Sequence, residues 1–237
     1  MCNYNHECSF LNMCINDREE GSGFMEKVIK MINSILSLSV GLFVVLACDT
    51  SINESVHVAD GQTRDGNINV VNGQIVIGNN CLIKGNCRVV NGSVTMGNNS
   101  TAYSITAING GADIGSDCRI DDEITCVNGS VNIKQRSGTG EISTVNGNID
   151  MIGTIVTGDV FIVNGDISLT DSAIVKGNII IKSGDDNEKR RVDIRLKSKS
   201  VVNGGIHVEN NNVDVRLYIS GEGKVLGDID EVEIIYQ

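Results

Sequence analysis

A β-branched residue followed by Asn-Gly recurs seven times between residues 71 and 204, and its spacing limits what this chain can fold into. The copies are Val71-Asn72-Gly73, Val90-Asn91-Gly92, Ile108-Asn109-Gly110, Val127-Asn128-Gly129, Val145-Asn146-Gly147, Val163-Asn164-Gly165 and Val202-Asn203-Gly204. From Asn72 to Asn164 the successive steps are 19, 18, 19, 18 and 18. The last step is 39, and a degenerate copy at Ser183-Gly184 divides it into 19 and 20. A fixed period below about 20 residues is too short for helix-pair arrays and suits a solenoid in which each repeat is one coil of parallel strands.

The register around each marker agrees. Counting from the asparagine, positions +3 and +5 are apolar in every copy, from Ile75 and Ile77 through Ile149 and Met151 to Ile206 and Val208. Positions −4 and −2 repeat the pattern, as in Ile68 and Val70, Cys87 and Val89, and Ile179 and Ile181. A weaker apolar site at −8 is held by Ile83, Ile120, Val156 and Val175. A spacing of two is a strand with one face turned inward. Three such segments per coil predict an all-β fold, a single-stranded three-sided parallel β-helix of about eight coils spanning residues 67–237. Stacking at about 4.8 Å would bring Asn72, Asn91, Asn109, Asn128, Asn146, Asn164 and Asn203 into amide-to-amide reach as a structural corner ladder. In that reading glycine supplies the positive-φ residue of the corner.

Composition fits a narrow core. The chain has no proline, no tryptophan and 8 aromatic residues among 237. A thin coil filled by Val, Ile and Ala does not need large rings, and proline would interrupt the ladders. The net charge of −11 argues against a nucleic-acid partner, since no basic stripe is present to displace phosphate counterions.

Residues 1–24 lack the repeat. Lys27 and Lys30 then precede an apolar run from about Ile35 to Ala47, a charged and then hydrophobic order expected of a signal peptide over residues 25–47. The run ends Val45-Leu46-Ala47-Cys48, which resembles the lipobox of bacterial lipoproteins. The resemblance implies cleavage between Ala47 and Cys48, with Cys48 carrying the lipid and the membrane as partner through it. Asp49 resembles an inner-membrane retention signal. A start at Met25 is expected, leaving 1–24 outside the protein; a metal knuckle from Cys2, His6, Cys8 and Cys14 fits no common zinc spacing. Residues 48–66 read as a polar tether or a short first strand.

Within the repeat, Asp185–Arg191 reads as a charged surface loop, and Lys224–Gln237 as a final partial coil and cap. Cys87 and Cys126 occupy apolar slots, and Cys81 and Cys118 recur at +9, two coils apart and beyond disulfide reach. All four read as small buried hydrophobes, with a Cys81–Cys87 bridge left open. Chemistry is scarce: His57, His207 and the acidic run Asp121-Asp122-Glu123 have no nucleophile or metal-ligand companions by spacing. No catalytic, metal or cofactor site is therefore expected.

The coil of 18–19 residues with VNG corners resembles the bactofilin-like, polymer-forming β-helices of bacteria, over about residues 67–237. That resemblance implies a non-enzymatic scaffold polymerising end to end without nucleotide. The lipobox departs from the mostly cytoplasmic pattern of that family. Together they lead to the expectation of a membrane-anchored envelope scaffold or adaptor on a periplasmic or extracytoplasmic face, with homo-oligomers or envelope proteins as partners. A ligand- or glycan-binding module is the alternative, and a β-helical transferase or lyase a more distant one.

Overall fold

The structure is a computed structural model in which residues 50–184, 190–209 and 212–237 are described. All of them belong to one compact unit. Every strand pairing in it is parallel, and no described strand exceeds the length of Leu82–Val90. The result is an all-β parallel solenoid of about nine turns, one more than the marker count gives.

Each coil has three faces. The first carries positions −4 to −1 and includes Ile68–Val71, Glu123–Asn128, Glu141–Asn146, Val160–Asn164, Ile179–Ile181 and Ile206–Val208. The second face has ten strands, from Val56–Val58 through Val131–Ile133 to Val232–Tyr236. The third has short strands such as Gly138–Thr139, Ile155–Val156, Ile174–Val175 and Val201–Val202. The long strands Leu82–Val90 and Thr101–Ile108 run through the third and first faces without a break, which joins these two faces into one continuous sheet.

Alternation builds the core. Val94–Met96 and Ala112–Ile114 each read buried, exposed, buried, and their inward residues stack in register from coil to coil. On the second face one column runs Ile75, Val94, Ala112, Val131, Ile149, Ile167, Ile194, Leu217, all fully buried. Burial of such an aliphatic side chain contributes about 1.5–3 kcal/mol each, and no single large residue is needed.

Four expectations are corrected. Of the two readings of 48–66, a tether or a short first strand, the second is nearer, and from Thr50 onward the segment is a whole first coil. Thr50–Ile52 pairs with Ile68–Val71, Val56–Val58 with Ile75–Ile77, and Thr63–Arg64 with Leu82–Ile83. Its polar composition misled because only Val58 of its inward residues is fully covered. Second, the loop begun at Asp185 stops before Arg190, since Arg190–Leu196 is a second-face strand. Third, that insertion lengthens one coil so that Ile167 pairs with Ile194, and the register after it differs. Ile206–Val208 pairs with Ile179–Ile181 on the first face and is not a +3/+5 strand. Val202 pairs with Val175 on the third face, and Asn203 therefore lies at a different corner from the other six asparagines. Fourth, Lys224–Gln237 is a final partial coil, as expected, but its last strand leaves an apolar edge open where a cap was expected. Ile234 stacks on fully buried Leu217 yet is 40% exposed, and Tyr236 is 77% exposed.

Candidate functional site

Six of the seven predicted asparagines form the ladder. Each side-chain Nδ2 donates to the Oδ1 one coil below: Asn91 to Asn72 at 2.7 Å, and Asn109 to Asn91, Asn128 to Asn109, Asn146 to Asn128 and Asn164 to Asn146 all at 2.8 Å. The seam also has a member that sequence reasoning missed. Asn72 donates to Asn53 at 2.8 Å. The signal was Ile52-Asn53, one repeat before Asn72, with Glu54 in the glycine slot.

The division of labour within Asn-Gly varies along the solenoid, and glycine carries the positive φ, as expected, only at Gly165, with φ of 127°. Asparagine takes the left-handed conformation in the early coils, with φ of 57° at Asn53, 56° at Asn72, 55° at Asn91 and 53° at Asn109. Asparagine tolerates that region because its short amide bonds locally. Glycine is required by axial packing: a Cβ on Gly92 would lie 1.6 Å from the Gly73 carbonyl oxygen, and one on Gly110 1.9 Å from that of Gly92. The same argument defines a second stack at the corner between the third and first faces, through Gly140, Gly158, Gly177, Gly204 and Gly227. Gly204 belongs to that stack, which explains why Asn203 falls outside the ladder.

The ladder ends on a cation. Where the next asparagine would stand, the Arg190 guanidinium donates to Asn164 Oδ1 at 3.0 Å and to the Val163 carbonyl at 2.6 Å, and also to the Lys182 carbonyl. Beside it, Lys182 Nζ donates to Glu209 Oε1 at 2.6 Å and lies 5.2 Å from the Phe161 ring centroid. Charged groups thus take over the corner that amides hold below.

A second column, unforeseen from the sequence, lines the inside of the corner between the second and third faces. Ser100 Oγ donates to the Gly78 carbonyl at 2.9 Å, Ser137 Oγ to Gly115 at 2.8 Å, and Thr154 Oγ1 to Ile133 at 3.3 Å. Cys81 and Cys118 share the column, and their thiols point at the carbonyls of Ala59 and Gly97 at 3.1 and 3.0 Å. Both are buried in the core, as their reading as small hydrophobes expects, and each thiol adds a weak bond to the backbone. All four described cysteines are free, so no Cys81–Cys87 bridge forms.

Cys87 and Cys126 fit the hydrophobic reading. Both are fully buried on the first face, and desolvation pushes each thiol up to about 12. The native state therefore holds these protons where the unfolded chain, titrating near 9, releases them. Their contribution to stability is complete below that value and is lost as pH rises toward 12. Chemical unfolding followed across this range is expected to show stability falling by up to about 1.4 kcal/mol per pH unit for each cysteine. A Cys87→Ala, Cys126→Ala chain should show a shallower decline.

The other candidates do not converge. His207 Nδ1 sits 2.8 Å from Asp230 Oδ2 on the outer surface, and His57 lies in the first coil, at the far end of the sequence. Asp121 is engaged by Arg119 at 2.5 Å. Among the described residues, no group of three or more His, Cys, Asp or Glu side chains converges on a metal position. Ala47 and Cys48, residues 1–24, and Asp185–Glu188 with Lys189 lie outside the described residues. Among those described, no helix is long and apolar enough to cross a membrane. No family model, no curated protein and no solved structure matches this chain.

Proposed function

We propose that this chain is a non-enzymatic β-helical lipoprotein that acts as an envelope scaffold or adaptor, anchored to a membrane through Cys48 and assembling with further copies through its last coil. The observation that carries the assembly is the apolar surface at Val232–Tyr236. Inward positions covered in every middle coil are open there, with Ile234 40% and Tyr236 77% exposed. The strand edge adds unpaired backbone groups, a template for parallel addition of another chain. The anchor rests on the lipobox sequence alone.

Sedimentation velocity of the full chain in detergent is expected to show species that grow with concentration. Ile234→Asp with Tyr236→Asp should hold the protein monomeric, because two carboxylates at that end oppose burial. A wild-type monomer at all concentrations overturns assembly. The anchor is read separately: the peptide beginning at Cys48 should carry a lipid mass that Cys48→Ser removes, and an unmodified Cys48 in cells overturns it.

A further inference from the structure

The seven Asn-Gly pairs are chemically alike in sequence and unlike in the fold, and one of them is poised to react. In an Asn-Gly pair the glycine nitrogen attacks the asparagine Cγ, a C–N bond forms, and the side-chain nitrogen leaves as ammonia. Water then opens the cyclic imide at either carbonyl, giving aspartate or isoaspartate. The reaction needs the side-chain amide to swing onto its own backbone, so whatever tethers that amide slows it. Asparagine is among the thermolabile residues for this reason.

Asn128, Asn146 and Asn203 make a matched set. All three are exposed, and none has positive φ. Their glycine nitrogens are all bonded to carbonyls of a neighbouring coil: Gly129 to Asn146 and Gly147 to Asn164 at 2.9 Å, Gly204 to Gly177 at 3.0 Å. The backbone nitrogen is therefore restrained alike in each, and the difference lies in the side chain. Asn128 and Asn146 each donate one ladder bond and accept another at 2.8 Å. The Asn203 amide makes no side-chain hydrogen bond among the described residues.

We propose that Asn203 is the spontaneous deamidation site of this protein and that the asparagine ladder protects its own members from the same reaction. Conversion places a carboxylate on the third face, where Lys176 holds the corresponding position one coil below. Isoaspartate would also lengthen the backbone beside Gly204, whose packing on Gly177 leaves no room for even a Cβ.

The test is incubation of the full chain in mildly alkaline buffer, with peptide mass mapping of each Asn-Gly over time, native and in urea. In the native chain Asn203 is expected to deamidate at least about tenfold faster than Asn128 and Asn146, equivalent to about 1.4 kcal/mol of barrier. In urea the ladder is gone, and the three rates should come together. A native ratio below tenfold overturns the proposal, as does a ratio that persists in urea, since local sequence would then be its source.

Discussion

Gly92→Ala is expected to prevent accumulation of the folded chain, or to cost at least about 3 kcal/mol where folding survives, the upper end of overpacking effects. The added carbon would sit 1.6 Å from a backbone oxygen of the coil below, and neither partner is the far end of a flexible side chain. Relief requires the coils to separate, which breaks parallel hydrogen bonds on all three faces. Gly61→Ala supplies the contrast. Gly61 has φ of 73° with nothing within 4 Å of an added Cβ. Only conformational strain of about 1–2 kcal/mol is therefore expected there. Urea unfolding of the two variants beside the parent chain decides the matter. Equal losses would mean that axial packing of the glycine stack is not what selects glycine.

Ile149→Ala is the second large effect, about 2–5 kcal/mol, because its neighbours above and below in the column, Val131 and Ile167, are themselves fully buried and hydrogen-bonded into rigid coils. The cavity cannot collapse without dragging a backbone ladder with it. Ile234→Ala, in the same column but 40% exposed, is expected to cost under about 1 kcal/mol. In a solenoid each coil touches only its neighbours, so the two losses should add in the double variant. Calorimetric or denaturant unfolding measures all three.

The fold was legible because stacking makes one rule repeat. The +3 and −4 positions are apolar in each coil and −2 in all but Thr144, so the interior from Ile68 to Ile181 could be read from the sequence. What stayed hidden departs from the rule in identifiable ways. The first coil was concealed because Glu54 stands where glycine marks the other corners, and because an end coil exposes residues that a middle coil must bury. Asn203 was misplaced because the insertion ahead of Arg190 lengthens that coil, while Val202-Asn203-Gly204 satisfies a different corner with the same letters. The axial role of the glycines stayed hidden because a clash between coils leaves no trace in local sequence, whereas turn propensity does. The serine and cysteine column was overlooked because its members bond to carbonyls more than a full coil away, beyond any local pattern. The lipobox was legible only as a string, since Ala47 and Cys48 have no described surroundings.

The ladder's termination at Arg190 makes the solenoid a vector. From Asn53 to Asn164 every side-chain amide points the same way, donor toward the first coil and acceptor toward the last, and the guanidinium closes the acceptor end. There the corner carries Arg190, with the Lys182–Glu209 pair beside it, in place of neutral amides. An observer moving along the surface would know which end lay ahead from this corner alone. Heading and position along the solenoid are thus both written into one surface seam, the first by the direction of its amides and the second by their distance from the charged coils.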